Sequence, residues 1–293
     1  MKVSRAGTGL RQPIVRDLSI AVWRLFAELD LSDAKKSRFD SLHDCFTREL
    51  KPGARAIDHA PGVLASPCDA IVGACGEVDD LQVFQAKGFP YEVAELFGDA
   101  QSIEPFRNGC NATLRLTSSM YHRFHAPHDS RVERLTYLSG DTWNVNPIAL
   151  KRVERLFCRN ERAVIGMRLQ AGGHPIALVP VAAILVASLR LHCVNLLLHL
   201  RYRGPKRIDC RADYRKGDEM GWFEHGSTII VFAPRGFTLA EGIVPGTPMR
   251  MGQALMKLPR TEAAERDGVN APSCRAAAST GESRRAPHTG PTP

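Results

Sequence analysis

The sequence predicts an α+β protein: a strand-dominated body, helices at the N-terminal end and a disordered C-terminal tail. Three observations carry that expectation. Apolar residues recur at helical spacing only near the start of the chain. From Ala56 onward, short runs of Val, Ile, Leu and Thr alternate with Gly, Pro, Asn and Asp, the texture of strands and turns. Beyond residue 260 the branched aliphatic side chains stop except for Val269, and no aromatic follows.

The elements follow in order. Ile14, Val15, Leu18, Val22, Leu25, Phe26 and Leu29 lie at helical spacing, so residues 14–29 are expected to form an amphipathic helix. Arg16, Trp23 and Arg24 fall off that stripe. Two placements fit such a helix: packed on the core, or laid in a membrane interface, where basic residues and Trp are favoured. A second helix is expected over residues 39–50, ended by Lys51-Pro52-Gly53. Strands are expected at residues 70–78, 112–116, 132–138, 163–169, 176–189 and 228–232, with a short helix at 94–97. Residues 175–189, PIALVPVAAILVASL, resemble a membrane span, but Pro180 breaks the run and Arg190 follows it. A spanning helix needs about 20 apolar residues, so buried strands are expected and no transmembrane helix. Ala, Gly, Pro, Ser and Thr dominate residues 261–293, which cannot bury enough surface to offset the entropy of ordering. A single domain is therefore expected over residues 1–260, with helices within 14–50 and a β-rich body over 56–258, followed by the tail.

Composition bounds the function. A chain of 293 residues with 44% apolar and 24% charged residues is neither wholly disordered, nor collagen-like, nor a polytopic membrane protein. Its net charge of +8 favours anionic partners: nucleic acid, acidic substrates or lipid headgroups. Charge does not choose among these, but no nucleic-acid recognition motif is present. The eight cysteines form no C-x-x-C pair, and no signal-peptide-like stretch follows Met1, which points to a reduced, cytoplasmic compartment.

Four segments carry chemical groups. Ser66-Pro67-Cys68-Asp69 places an acid in a turn before a strand, the common position of a turn-capping Asp. Tyr121-His122-Arg123-Phe124-His125-Ala126-Pro127 packs two histidines and an arginine together, with His128 and Asp129 close by; nothing fixes their direction toward a metal, and none is expected. Asn160-Glu161-Arg162 reads as a structural hydrogen-bond hub. Gly226-Ser227-Thr228 stands at the mouth of an apolar strand, where glycine frees the backbone and the serine oxygen can approach the preceding carbonyl; a plain hairpin turn has the same look. Asp, His and Ser are the residue types of a nucleophilic relay, but sequence spacing alone does not bring Asp69, His125 and Ser227 together.

In order along the chain, FTRELKPGARAID (residues 46–58), SPCDA, KGFPYEVAELFGD (87–99), YHRFHAP, GDTWNVNP (140–147), NER and KGDEMGWFEHGSTIIVF (216–232) resemble the phosphatidylserine decarboxylases. The chain differs from the family's usual residues at His225, where Leu is common, at Ala70, where Gly is common, and in residues 181–188, where alanines replace glycines.

The resemblance implies a proenzyme, a zymogen that cuts itself between Gly226 and Ser227. Asp69 and His125 hold and deprotonate the Ser227 hydroxyl, and its oxygen attacks the Gly226 carbonyl to give an ester. Elimination then releases a 226-residue β chain and leaves a 67-residue α chain that begins with a pyruvoyl group made from Ser227. This covalent pyruvoyl is the implied cofactor, with no metal. It forms a Schiff base with phosphatidylserine and serves as electron sink while CO2 departs, giving phosphatidylethanolamine. His125, with His122 as an auxiliary, is the implied proton donor. The implied setting is phospholipid biosynthesis at the cytoplasmic side of the cell membrane, by a peripheral protein with the homodimeric state that the family suggests. Rival readings are a pyruvoyl decarboxylase for another serine-headed lipid, a serine hydrolase, which would want a G-x-S-x-G elbow, and a lipid-binding protein that never matures.

Overall fold

A computed structural model of the chain describes residues 13–27, 29–86, 89–183, 188–194, 196–199, 202–224 and 227–259. The expected tail (261–293), His225, Gly226 and residues 184–187 lie outside the described residues.

The first helix, Pro13–Ala27, packs through Ile20 and Trp23 against a small apolar cluster of Leu29, Ala34, Phe39 and Cys45. Trp23 stacks on Phe46 with ring centroids 6.2 Å apart. The expected stripe is turned around: Leu18, Val22 and Leu25 are exposed, while Trp23, which the stripe left out, is on the packed side. The second helix is shorter than expected, Leu42–Phe46. Ser41 caps it, accepting a hydrogen bond from Asp44 N (3.0 Å), and the turn closes when Thr47 N donates to His43 O (2.9 Å). Further one-turn helices, Val93–Phe97, Pro147–Leu150 and Leu156–Arg159, interrupt the β-rich body.

The body is α+β and strand-dominated, as expected. Among the described residues its main sheet has eight strands, all antiparallel to their neighbours, in the spatial order Arg207–Tyr214, Ser130–Leu138, Arg162–Leu169, Pro175–Ala182, Ser227–Ala233, Cys110–Leu116, Ala70–Glu77 and Pro248–Met249. The Ser227–Ala233 strand lies near the centre and is buried throughout, so it reads as an unbroken apolar run. Its side chains still alternate: Ile229 and Val231 enter one core with Leu114, Leu178 and Phe223, while Ile230 and Phe232 enter the other with Val179, Phe97 and Phe106.

The apolar run at 176–189 is not one strand. It divides into Pro175–Ala182 in the main sheet and Ser188–Leu191 in a second sheet ordered Leu196–His199, Ser188–Leu191, Glu219–Phe223, Arg123–His125. Pro180 stays inside the main sheet opposite Ile229, and the ladder toward Arg162–Leu169 runs through Arg162↔Val181 and Ile165↔Leu178 on either side of it.

Candidate active site

Register sets the frame of the site. Ser227 lies opposite Leu116 on one side and Ala182 on the other. Ile71 pairs with Arg115, so Ala70 stands level with Leu116, and Asp69 precedes it in the turn that enters the strand. The Arg123–His125 strand docks on that turn: His125 N donates to Pro67 O at 2.8 Å, and Ser66 Oγ donates to Cys68 O at 2.8 Å. Asp69, His125 and Ser227, far apart in sequence, are thus carried to one end of the main sheet.

Each of the three has a distinct environment. The Asp69 carboxylate, 7% exposed, accepts hydrogen bonds from Arg55 Nε (2.9 and 3.1 Å), Arg55 Nη2 (2.6 Å) and Met251 N (2.9 Å). Arg55 also donates to Asp33 at 2.7 Å, and Asp69 foremost holds its guanidinium pKa above the ordinary value. His125 is buried between two partners. Gly217 O, at 2.9 Å from Nδ1, must accept, so Nδ1 carries the proton; Nε2 then accepts from the Tyr121 hydroxyl at 3.0 Å. Burial lowers the pKa of the imidazole, against the opposing pull of the Gly217 carbonyl, Glu219 and Asp69. Ser227 is fully buried, and its Oγ has no hydrogen-bond partner among the described residues. No hydrogen bond joins the three to one another among those residues; they share a locality rather than a bonded relay.

His122 is also buried. Its Nδ1 donates to Met120 O at 2.9 Å and its ring lies 3.8 Å from that of Phe46. It therefore faces the helical layer, whereas His125 faces the polar cleft. That cleft comprises two cavities, of about 420 and 530 Å³, that share Arg55, Tyr121 and Leu50. The first is lined by Asp69 and Arg48, the second by His125, Arg123 and Glu219. Arg123 Nη1 pairs with Glu219 at 2.9 and 3.1 Å, and His192 Nε2 reaches the same carboxylate at 2.8 Å.

Arg55, Tyr121 and Glu219 went unassigned in the sequence, although all three stand within the quoted strings. A buried aspartate needs a cation. That signal announces an arginine without saying which one, because Arg48, Arg55 and Arg123 are equivalent until the fold separates them. The Asn160-Glu161-Arg162 hub is realised in bonds: Asn160 Nδ2 donates to Trp143 O (2.8 Å) and Ala182 O (2.9 Å), and Arg162 donates to Leu96 O (2.7 Å) and Glu95 O (2.9 Å).

A family model described as phosphatidylserine decarboxylase matches residues 42–257, a stretch that includes Asp69, His122, His125 and Ser227 and leaves out the first helix. The chain belongs to the phosphatidylserine decarboxylase family. Curated relatives agree. The chain is 36% identical over 268 residues to a phosphatidylserine decarboxylase proenzyme of Pseudomonas fluorescens, covering 86% of this chain and 92% of that one. It is 37% identical over 222 residues to the proenzyme of Marinobacter nauticus, covering 73% and 76%. It is 34% identical over 256 residues to that of Myxococcus xanthus, covering 85% and 91%. Membership of a decarboxylase family makes the chain a lyase by class, and the relatives are named as proenzymes.

Proposed function

We propose that this chain is a self-maturing phosphatidylserine decarboxylase acting at a membrane surface, with residues 1–260 as its catalytic unit. The observation that carries the reading is Ser227: a fully buried hydroxyl without a hydrogen-bond partner among the described residues, at the end of the central strand and separated by one strand from the turn that carries Asp69. A buried polar atom that serves no structural bond is a cost to the fold, and chemistry is one reason to carry it.

Self-cleavage follows from what the residues hold. His125, kept neutral by burial, takes the Ser227 hydroxyl proton, and Oγ bonds to the Gly226 carbonyl carbon. The carbon–nitrogen bond breaks, leaving an ester in the main chain and an amine on residue 227. Loss of the Cα proton and of the ester oxygen then frees Gly226 as a carboxylate, closing a β chain of residues 1–226. Hydrolysis of the remaining enamine, with release of ammonia, completes the 227–293 α chain. The site fits the pyruvoyl group so formed. The serine oxygen departs with Gly226 and its Cβ becomes a methyl, at a position where Oγ had no partner among the described residues to lose. The ketone supplies the electron sink for decarboxylation. Around it, Arg55 fixes the Asp69 carboxylate, Tyr121 and Gly217 orient His125, and the Arg123–Glu219 pair lines the approach.

Membrane attachment is supported by the first helix. Leu18, Val22 and Leu25 expose an apolar face flanked by Arg16 and Arg24, on a chain of net charge +8. No described helix is long and apolar enough to cross a membrane.

The test is turnover. The purified chain, given vesicles containing phosphatidylserine, is expected to release CO2 and accumulate phosphatidylethanolamine, and Ser227→Ala to do neither. A chain that is cut at Gly226–Ser227 yet leaves phosphatidylserine untouched would overturn the substrate assignment.

A further inference from the structure

A second polar group on the Ser227 face of the main sheet has no role in the steps above. Glu161 precedes the Arg162–Leu169 strand, and its backbone is fixed on both sides: its N–H donates to Asp141 O and its carbonyl accepts from Ala182 N, each at 2.8 Å. Glu161 therefore stands opposite Ala182, and Ala182 stands opposite Ser227. Residues directly opposite across antiparallel strands project to the same face. With strands about 4.8 Å apart, the Cα atoms of Glu161 and Ser227 are about 10 Å apart. The residue between them is alanine, so the side chain standing between the two on that face is a single methyl group.

Both ends of that span hold unused polarity. Glu161 is 2% exposed, and its Oε2, like Ser227 Oγ, has no hydrogen-bond partner among the described residues. Nor, among those residues, does a cation face it. The guanidinium of Arg162, one residue on, donates instead to the carbonyls of Leu96, Glu95 and Asn160. The Asn160 amide is spent on Trp143 and Ala182. The titratable group against Glu161 is Tyr137, from the adjacent Ser130–Leu138 strand. A buried carboxyl without a cation favours its protonated form.

We propose that Glu161 is the acid of the Ser227 centre: it delivers a proton, through one water above Ala182, to the nitrogen of Ser227 as the Gly226–Ser227 peptide bond opens. The inference rests on the self-cleavage reading and deepens it. The step balances. The Ser227 hydroxyl proton passes to His125, the Oγ–carbon bond forms, and the electron pair of the broken carbon–nitrogen bond stays on nitrogen and takes the Glu161 proton. Ester, amine, imidazolium and carboxylate result, and the last two are reset by proton exchange with solvent.

The pH dependence follows in sign. Burial pushes the Glu161 carboxyl up to about 7, with Tyr137 pulling weakly the other way, and lowers His125, whose facing groups are Tyr121, Glu219, Asp69 and Arg123. Cleavage needs His125 neutral and Glu161 protonated. Its rate is expected to rise through the His125 pKa and to fall above pH about 7.

The test follows self-cleavage of the full chain by denaturing gel across pH, for wild type and Glu161→Gln, with thermal melting as the check on folding. Glu161→Gln is expected to melt normally, to form the two chains about 100-fold more slowly, and to lose the alkaline fall in rate. Wild-type speed in Glu161→Gln, or slow cleavage that keeps the alkaline fall, would overturn the proposal. If Glu161→Gln does not fold, the wild-type profile decides: an alkaline fall near pH 7 that Glu161→Asp displaces supports the proposal, and a flat alkaline side overturns it. Failure of wild type to cleave at any pH would count against the self-cleavage reading itself, and so is told apart.

Discussion

Two carboxyls bracket Ser227 along the main sheet, Asp69 beside Ala70 on one side and Glu161 beside Ala182 on the other, and the fold treats them oppositely. Asp69 is gripped by the Arg55 guanidinium and the Met251 amide. Among the described residues Glu161 meets no cation and its Oε2 has no hydrogen-bond partner, and burial raises its pKa to about 7. The same functional group thus serves as a fixed anion in one place and as a proton store in the other. Neighbours, not residue type, make the difference. Asp69 lines an open cleft, whereas Glu161 is 2% exposed: a paired charge tolerates water nearby, and burial is what raises the Glu161 pKa.

The comparison can be broken at three points. The largest effect is expected from Arg55→Leu. It leaves the buried Asp69 carboxylate with the Met251 amide but without its cation, and removing one partner of such a pair costs about 3–5 kcal/mol. Denaturant unfolding of a cleavage-blocked Ser227→Ala background measures it, and a loss below about 1 kcal/mol would put the pair in the class of solvent-exposed bridges. Next is Ala182→Val, which adds two methyl groups between Ser227 and Glu161. Overpacking there is expected to cost about 1–3 kcal/mol and, more tellingly, to slow self-cleavage while leaving the Asp69 side intact. A variant destabilised to that extent but cleaving at full rate would show that nothing passes across the alanine. The smallest effect is expected from Tyr121→Phe. Losing the hydroxyl that donates to His125 Nε2 removes a hydrogen bond worth about 1 kcal/mol and a group that favours the neutral imidazole. The acidic side of the cleavage profile is therefore expected to move to higher pH, and a shift to lower pH would contradict the tautomer assigned to His125.

How much of this was legible in the sequence varies by element. The central strands announce themselves: Ser227–Ala233 is buried on both faces and reads as an apolar run, and Cys110–Leu116 alternates Ala112, Leu114 and Leu116 with polar residues. The edge strand Arg207–Tyr214, RIDCRADY, carries four charges on its exposed positions and went unrecognised, as did Arg123–His125 and Glu219–Phe223, whose polar residues line the cleft. Periodicity sees apolar burial, and these strands are short and carry Arg123, His125 and Glu219 into the cleft. The first helix was recognised, but its orientation was not, since Leu18, Val22 and Leu25 are as apolar as Ile20 and Trp23 and only tertiary packing separates the two faces. At the site, the ordered strings pointed to Asp69, His125 and Ser227. They were silent on Arg55 as the partner of Asp69 and on the level of Glu161 with Ser227, because both depend on contacts distant in sequence. The triplet of residues 160–162 read only as a structural hub, a role that Asn160 and Arg162 do fill.

Division of the chain at Ser227 is the event on which everything else depends. Intact mass under denaturing conditions, for wild type beside Ser227→Ala, measures this most directly. The expected result is two wild-type chains of 226 and 67 residues, the smaller with a blocked, pyruvoyl-type N-terminus, and a single 293-residue chain for the variant. A single full-length chain in both samples would contradict the account.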